Sequence, residues 1–264
     1  MIINTNSYAS KKQGSMSINM LTLFISLRCT QSCFHCLYGC SPERGEHMSQ
    51  EIFNRSILIA QEENIPIINF FGGEPLLNPE IISMVKTATE TDALILIATN
   101  LRPLENQNKF AEFLKVSQKH AQRIHIITSR DKFHLQFYDP IEIINHLKSE
   151  NINVIINDYS DSSILLSEFN ETKKELHEIN TNFCCCNHKG TENIGVLPDG
   201  SWTICPPSLE PFGNIYSHSL KEIVRFKLSL SLRYQDGCTE CLKDFPFFRK
   251  QFENELLTNY PCVE

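Results

Sequence analysis

The most regular feature of the chain is an alternation of short apolar runs with longer amphipathic stretches, repeated from about residue 20 to residue 157. MLTLFISL at 20–27 is apolar, β-branched and aromatic, and reads as a buried strand that stops just before Cys29. Ser49 and Glu51 then open a stretch to about Asn64 in which Ile52, Phe53, Ser56, Ile57 and Ala60 recur at helical spacing, so a Ser-capped helix is predicted. PIINFF at 66–71 is the second strand. Asn78 is expected to cap a helix to about Glu90, ALILIATN at 93–100 is the third strand, and residues 104–120 read as helical. RIHIIT at 123–128 is the fourth strand, Asp139 and Pro140 start a helix to about Glu150, and NVIIN at 153–157 is the fifth strand.

Strands that are apolar on both faces and separated by helices call for an α/β fold with a parallel sheet and right-handed crossovers, either open or curled toward a barrel. Ligand sites in such folds lie beyond the C-terminal ends of the strands. The cysteine-rich loop, GGEP and SRD each follow a strand's C-terminal end, which would bring them to one rim. From about Ser160 the pattern loosens. SSILLSEFNETKKELHEI reads as a helix, and no sixth strand is evident. Beyond the cysteine run at 184–186, NIGVLPDGSWTIC reads as a β-hairpin turning on Pro198, Asp199 and Gly200, followed by helices from Leu220 to about Leu230 and around residues 239–257.

At 264 residues the chain can hold one large domain, or one domain and a small appendage, around a substantial core. A hydrophobic share of 41% and a charged share of 21% exclude a disordered composition. The net charge of −7 comes without a block of lysines or arginines able to follow a phosphate backbone, so nucleic acid is not an expected partner. The longest apolar run, LTLFISL, falls far short of the roughly 20 residues of a membrane span, and no apolar segment follows the N-terminal lysines as a secretion signal would require. A cytoplasmic location is expected, without membrane association.

Eleven cysteines change the picture. They fall in two clusters with none between Ser41 and Phe183, whereas disulfide staples would be spread across the fold, so metal ligation in a reducing compartment is the better reading. CTQSCFHC sets Cys29, Cys33 and Cys36 in a C-x3-C-x2-C arrangement after the first strand. An electron-carrying cluster or a structural zinc site takes four protein ligands, so a trio leaves one coordination position open, as catalysis needs. A zinc site on Cys33, Cys36 and Cys40 is the alternative. FFGGEP at 70–75 ends the second strand, where Gly72 and Gly73 let the backbone approach a ligand and Glu74 offers a carboxylate to an amine, although the same tetrapeptide also reads as a turn.

These two segments together resemble the radical S-adenosylmethionine superfamily, whose hallmark is C-x3-C-x-aromatic-C after the first barrel strand, with His35 here in the aromatic place, and whose second motif GGEP matches. The resemblance implies a partial (β/α)6-type barrel over residues 20–183, behind an N-terminal extension at 1–19. It implies a 4Fe-4S cluster on Cys29, Cys33 and Cys36, whose unique iron is chelated by the amino and carboxylate groups of S-adenosylmethionine. Reductive cleavage then yields a 5′-deoxyadenosyl radical that abstracts hydrogen from a substrate. His35, Gly72, Gly73, Glu74, Ser129 and Asp131 would contact the cofactor. Thr99 and Asn100 resemble a Thr-Asn pair that faces substrate in related enzymes, and also read as ordinary strand-end caps. Asn157 and Asp158 would reach the same rim, and His134 reads either as a base or substrate contact or as a surface histidine.

In the second cluster, Cys186 and Cys205 flank the hairpin and CTEC returns with Cys238 and Cys241, a metal-site pattern whose spacing does not choose between zinc and iron-sulfur. PDG and FGNIYSHSLKEI resemble the twitch domain, the shorter relative of the SPASM domain. This implies a small hairpin-plus-helix unit over residues 184–264 with one auxiliary 4Fe-4S cluster. Cys186 is taken as the first ligand in place of Cys184 or Cys185. Cys40 and Cys262 are spare thiols that are inert, complete a cluster, or donate hydrogen to a substrate radical. Twitch and SPASM enzymes commonly modify ribosomally made peptides, so a peptide substrate is expected, with a reductant such as flavodoxin or ferredoxin. The alternatives are oxidation or rearrangement of a small alcohol or nucleotide, and a non-catalytic iron-sulfur protein that carries electrons or senses redox state.

Overall fold

The computed structural model describes residues 18–33, 36, 38–157, 193–203, 211 and 213–224. The N-terminal extension up to residue 17, His35, Asp158, the predicted helix after Ser160, Cys184, Cys185, Cys186, Cys205, Cys238, Cys241, Cys262 and the predicted C-terminal helix lie outside the described residues.

The expected alternation is present. Strands β1 (Met20–Ser26), β2 (Ile67–Gly72), β3 (Leu94–Ala98), β4 (Ile124–Ser129) and β5 (Asn153–Asn157) are interleaved with helices α1 (Gln50–Glu62), α2 (Ile81–Ala88), α3 (Gln107–Lys119), the single turn α4 (Lys132–Leu135) and α5 (Ile141–Ser149). Two further strands follow, β6 (Asn193–Val196) and β7 (Trp202–Thr203). The sheet runs β5-β4-β3-β2-β1-β6-β7, with every neighbouring pair parallel except β6 and β7. It does not close, so the architecture is that of a partial barrel. Among the described residues no helix is long and apolar enough to cross a membrane.

The missing parallel strand is the first arm of the hairpin. β6 pairs with β1 from Met20↔Asn193 to Leu23↔Val196, while β7 returns antiparallel beside it. Alternation along NIGV reports a strand but not its partner, so a segment read as part of the appendage is also a member of the main sheet. The turn is as expected: Gly200 takes φ 84°, its N–H donates to Leu197 O at 2.9 Å, and Asp199 Oδ1 accepts from Ser201 N at 2.9 Å.

Two helix starts differ from expectation. Asn78 does not cap α2 directly; its amide donates to Ile25 O at 3.0 Å and Met48 O at 2.8 Å, tying β1 and the entry to α1 together, while its Oδ1 accepts from Glu80 N at 2.8 Å. The stretch 104–120 is divided into a 3-10 turn (Arg102–Glu105) and α3, because Asn106 intervenes and uses its side chain to accept from Lys109 N at 3.0 Å. Ser49 caps α1 as predicted, accepting from Ile52 N at 3.3 Å.

The helix-covered face of the sheet carries the main core. Leu21, Leu23 and Ile25 of β1, Ile68 and Phe70 of β2, Ile95 and Ile97 of β3 and Ile124 and Ile126 of β4 pack under Phe53, Met84, Phe113 and Leu147 of the helices. Each such side chain contributes on the order of 1.5–3 kcal/mol when fully buried. On the other face, Phe24, Tyr38 and Phe71 form a triangle of edge-to-face rings, with centroids 5.4–5.7 Å apart, that packs with Leu27, Cys29, Cys40 and Leu197. The cysteine loop therefore rests on an aromatic floor supplied by β1 and β2.

Candidate active site

The backbone first fixes where the loop after β1 goes. Cys29 N donates to Ser41 O at 3.0 Å, Leu27 N to Glu46 O at 2.9 Å and Met48 N to Ile25 O at 2.9 Å, so the loop leaves and returns along the same line. At its tip Cys36 N donates to Cys33 O at 3.0 Å, and Gly39 N to Cys36 O at 3.2 Å. Besides burial, the charges of Cys33 and Cys36 raise the thiol pKa of Cys29, and that of Cys36 raises Cys33, so the three thiols lie near one another.

GGEP meets this loop edge to edge. Gly73 N donates to Ser26 O at 2.7 Å and Glu74 N to Arg28 O at 2.8 Å, continuing the β1–β2 pairing past both strands. Gly72 has φ 124°, and a Cβ there would lie 2.1 Å from Ser26 O. A Cβ on Gly73 would lie 2.6 Å from Arg28 O and 2.9 Å from Cys40 Cβ. The close backbone approach that the paired glycines announce is thus made to the cysteine loop itself.

Glu74 is fully buried, and both its oxygens are engaged. Oε1 accepts from Thr99 Oγ1 at 2.7 Å and Leu76 N at 2.9 Å, and Oε2 accepts from Asn100 N at 2.7 Å. Burial pushes its carboxyl up to about 7, against the pull of these three donors and of Lys109. Asn100 then reaches back to the loop, with Nδ2 at 2.9 Å from Thr30 Oγ1 and 3.6 Å from Cys29 Sγ. The ends of β1, β2 and β3 are joined by one polar network.

Burial also pushes Cys29 and Cys33 up to about 12, with Glu74 adding to the first, and Cys36 and Asp131 to the second. Cys36 goes the other way, to about 6, because the Cys40 thiol and backbone N–H groups donate to it; Cys40 itself is pushed up by that bond and by burial. A metal centre that takes these thiols must displace their protons, and its positive charge supplies the compensation that the buried site lacks.

Ser129 closes β4, half-buried and paired in register with Asn157. Asp131 is buried and accepts from His134 N at 3.1 Å and from His134 Nδ1 at 2.8 Å. With its ring so held and its side chain 20% exposed, His134 is no ordinary surface histidine. The fold brings Cys29, Cys33, Cys36, Gly72, Gly73, Glu74, Thr99, Asn100 and Asp131 into one neighbourhood. Sequence reasoning passed over Thr30 and Gln31, which sit between the first two cysteines; Gln31 is buried and accepts from Cys33 Sγ at 3.4 Å. Two polar residues inside so short a cysteine loop were the available signal.

The Radical SAM superfamily model matches residues 23–158. The chain belongs to the radical SAM superfamily. Among solved structures, it is similar to BtrN in complex with AdoMet and 2-DOIA, at 18% identity and a TM-score of 0.61, over 84% of this chain and 89% of that one. It is also similar to anSMEcpe with bound AdoMet and the Cp18Cys peptide, at 14% identity and a TM-score of 0.57, over 89% and 94% of the two chains. At these identities the likeness concerns the fold. No curated protein matches by sequence.

Radical SAM membership implies S-adenosylmethionine and a 4Fe-4S cluster. The chemistry of the donor set fits: three thiols share one loop, Cys40 N donates to Cys36 Sγ at 3.4 Å, and Asn100 Nδ2 approaches Cys29 Sγ. Among the described residues no three His, Cys, Asp or Glu side chains converge on a single metal ion. A cubane takes its thiolates on separate irons, which calls for a wider set of sulfurs than one ion does.

Proposed function

We propose that this radical SAM protein reductively cleaves S-adenosylmethionine and abstracts hydrogen from a peptide, which it thereby modifies. The observation that carries the reading is the trio Cys29, Cys33 and Cys36 on a loop locked to GGEP and to the end of β3 by the Glu74–Asn100 network. When bound, the cluster would supply the single electron that cleaves the sulfonium of S-adenosylmethionine, giving methionine and a 5′-deoxyadenosyl radical able to take hydrogen from the substrate. The chain's part is to hold the three thiolates, keep the aromatic floor dry, and orient the cofactor with Gly72, Gly73, Glu74, Ser129, Asp131 and His35. Glu74 acts in this through the strand ends it ties.

Cys186, Cys205, Cys238 and Cys241 would hold one auxiliary 4Fe-4S cluster in a twitch domain. Support comes from the β6–β7 hairpin, which ends at Thr203, just ahead of Cys205 in the sequence. Flavodoxin or ferredoxin would deliver the electrons, in a cytoplasm reducing enough to keep the thiols available. The peptide assignment draws on the likeness to anSMEcpe, whose structure holds a peptide. A small-molecule substrate is the second reading, favoured by the BtrN complex with 2-DOIA.

Anaerobic reconstitution of the full chain should give about eight irons for two cubanes. Incubation with reductant, S-adenosylmethionine and candidate peptides should yield 5′-deoxyadenosine together with a peptide mass change. If small alcohols alone are converted, the peptide assignment falls and the BtrN-like reading takes its place.

A further inference from the structure

Asn100 is held on the rim through both its backbone and its side chain. Its own N–H donates to Glu74 Oε2 at 2.7 Å, and its Oδ1 accepts from Arg102 N at 3.1 Å, across a turn in which Leu101 takes φ 65°. With backbone and carbonyl both committed, the carboxamide cannot rotate without losing a bond. Its Nδ2 therefore presents two hydrogens in fixed directions, toward Thr30 Oγ1 at 2.9 Å and Cys29 Sγ at 3.6 Å. Sulfur's larger radius makes the second a hydrogen-bond distance. Cys29 is buried at this point, so little water competes for the donor.

We propose that Asn100 is a positioning residue that sets the reduction potential of the cluster by donating a hydrogen bond to the Cys29 thiolate. The inference rests on the cluster reading given above. Reduction adds negative charge that spreads onto the ligating sulfurs, and an N–H aimed at one of them stabilises the reduced form more than the oxidised form. The bond therefore makes the cluster easier to reduce. Glu74 takes part at one remove: by accepting from Asn100 N it holds the amide in place, which links GGEP to the electronics of the cluster as well as to the shape of the loop.

The test is an EPR-monitored redox titration of the reconstituted full chain without substrate, following the cluster whose signal is perturbed by S-adenosylmethionine. Asn100→Ala removes the donor. Asn100→Asp keeps the shape, replaces the donor by an acceptor and adds charge. The midpoint is expected to move to more negative potential in Asn100→Ala and further in Asn100→Asp, with iron content and the S-adenosylmethionine perturbation retained. Thr30→Val, which leaves the bond to Cys29 in place, is expected to stay nearer the parent protein than either. Unchanged midpoints in both Asn100 variants, or a positive shift in Asn100→Asp, would overturn the proposal. Loss of the cluster in Asn100→Ala alone leaves Asn100→Asp to decide. A parent protein that binds no S-adenosylmethionine-sensitive cluster would instead sink the functional reading on which this inference stands.

Discussion

At the ends of β1, β2 and β3, the polar groups of Ser26, Glu74, Thr99 and Asn100 spend their hydrogen bonds on one another and on the cysteine loop. At the ends of β4 and β5 the rim is looser. Ser129 and Asn157 are half-buried, α4 is a single turn, and Leu135 at its end and Phe137 just beyond it are 36% and 38% exposed. A group that must sit within fractions of an ångström of a reactive cluster needs a supporting shell that does not relax, whereas a face that meets substrate can leave its side chains on short, accessible turns. On the proposed reading the β1–β3 side supports the cluster, while at the β4–β5 side Ser129 and Asp131 contact the cofactor and the short turn α4 beyond them meets the substrate.

The largest effect is expected from breaking the tight side at its backbone. Gly72→Ala puts a Cβ 2.1 Å from Ser26 O on a residue with φ 124°, so the strand ends must part. The apoprotein should lose about 3 kcal/mol or more in urea unfolding, and iron uptake should fall with it. Gly45→Ala, with nothing within 4 Å of its Cβ, should stay within about 0.5 kcal/mol.

Glu74→Gln comes next. The amide can replace the bonds to Thr99 and Leu76 but turns a donor toward Asn100 N, which should cost about 1–3 kcal/mol. The pH dependence separates this from simple loss of packing. The Glu74 carboxyl is raised from 4.5 to about 7 in the folded protein, so the native state holds that proton more tightly than the unfolded chain. Its contribution to stability is therefore full below pH 4.5, declines as pH rises through about 7, and is constant above that. Unfolding measured from pH 4 to pH 8 should show a steeper fall in the parent protein than in Glu74→Gln, and parallel curves would count against the buried carboxyl.

The smallest structural effect is expected on the loose side. His134→Ala removes one hydrogen bond to Asp131, worth about 1 kcal/mol, and should leave iron content unchanged. If this half meets substrate, turnover should fall while 5′-deoxyadenosine release without substrate stays at its parent level. A loss of both together would move His134 to the cofactor side and blur the division.

Much of this was legible along the chain, for reasons that can be named. Apolar strands flanked by Ser-capped or Pro-started helices announce a parallel sheet, and three cysteines after the first strand with GGEP after the second announce a rim. The partner of β6 was not legible, because NIGV carries strand character but no register with Met20–Leu23. Nor was the work of Asn78 and Asn100, whose bonds cross to residues 53 and 70 positions away. The paired glycines pointed to a close approach, but which surface approaches was decided only by the Ser26–Arg28 backbone lying against them.

The most direct test of the central claim replaces Cys29, Cys33 and Cys36 together by alanine in the full chain and follows 5′-deoxyadenosine release under anaerobic reduction. The account predicts that release stops and that the iron signal perturbed by S-adenosylmethionine disappears, while far-ultraviolet circular dichroism stays close to that of the parent. Release continuing at the parent rate would contradict it.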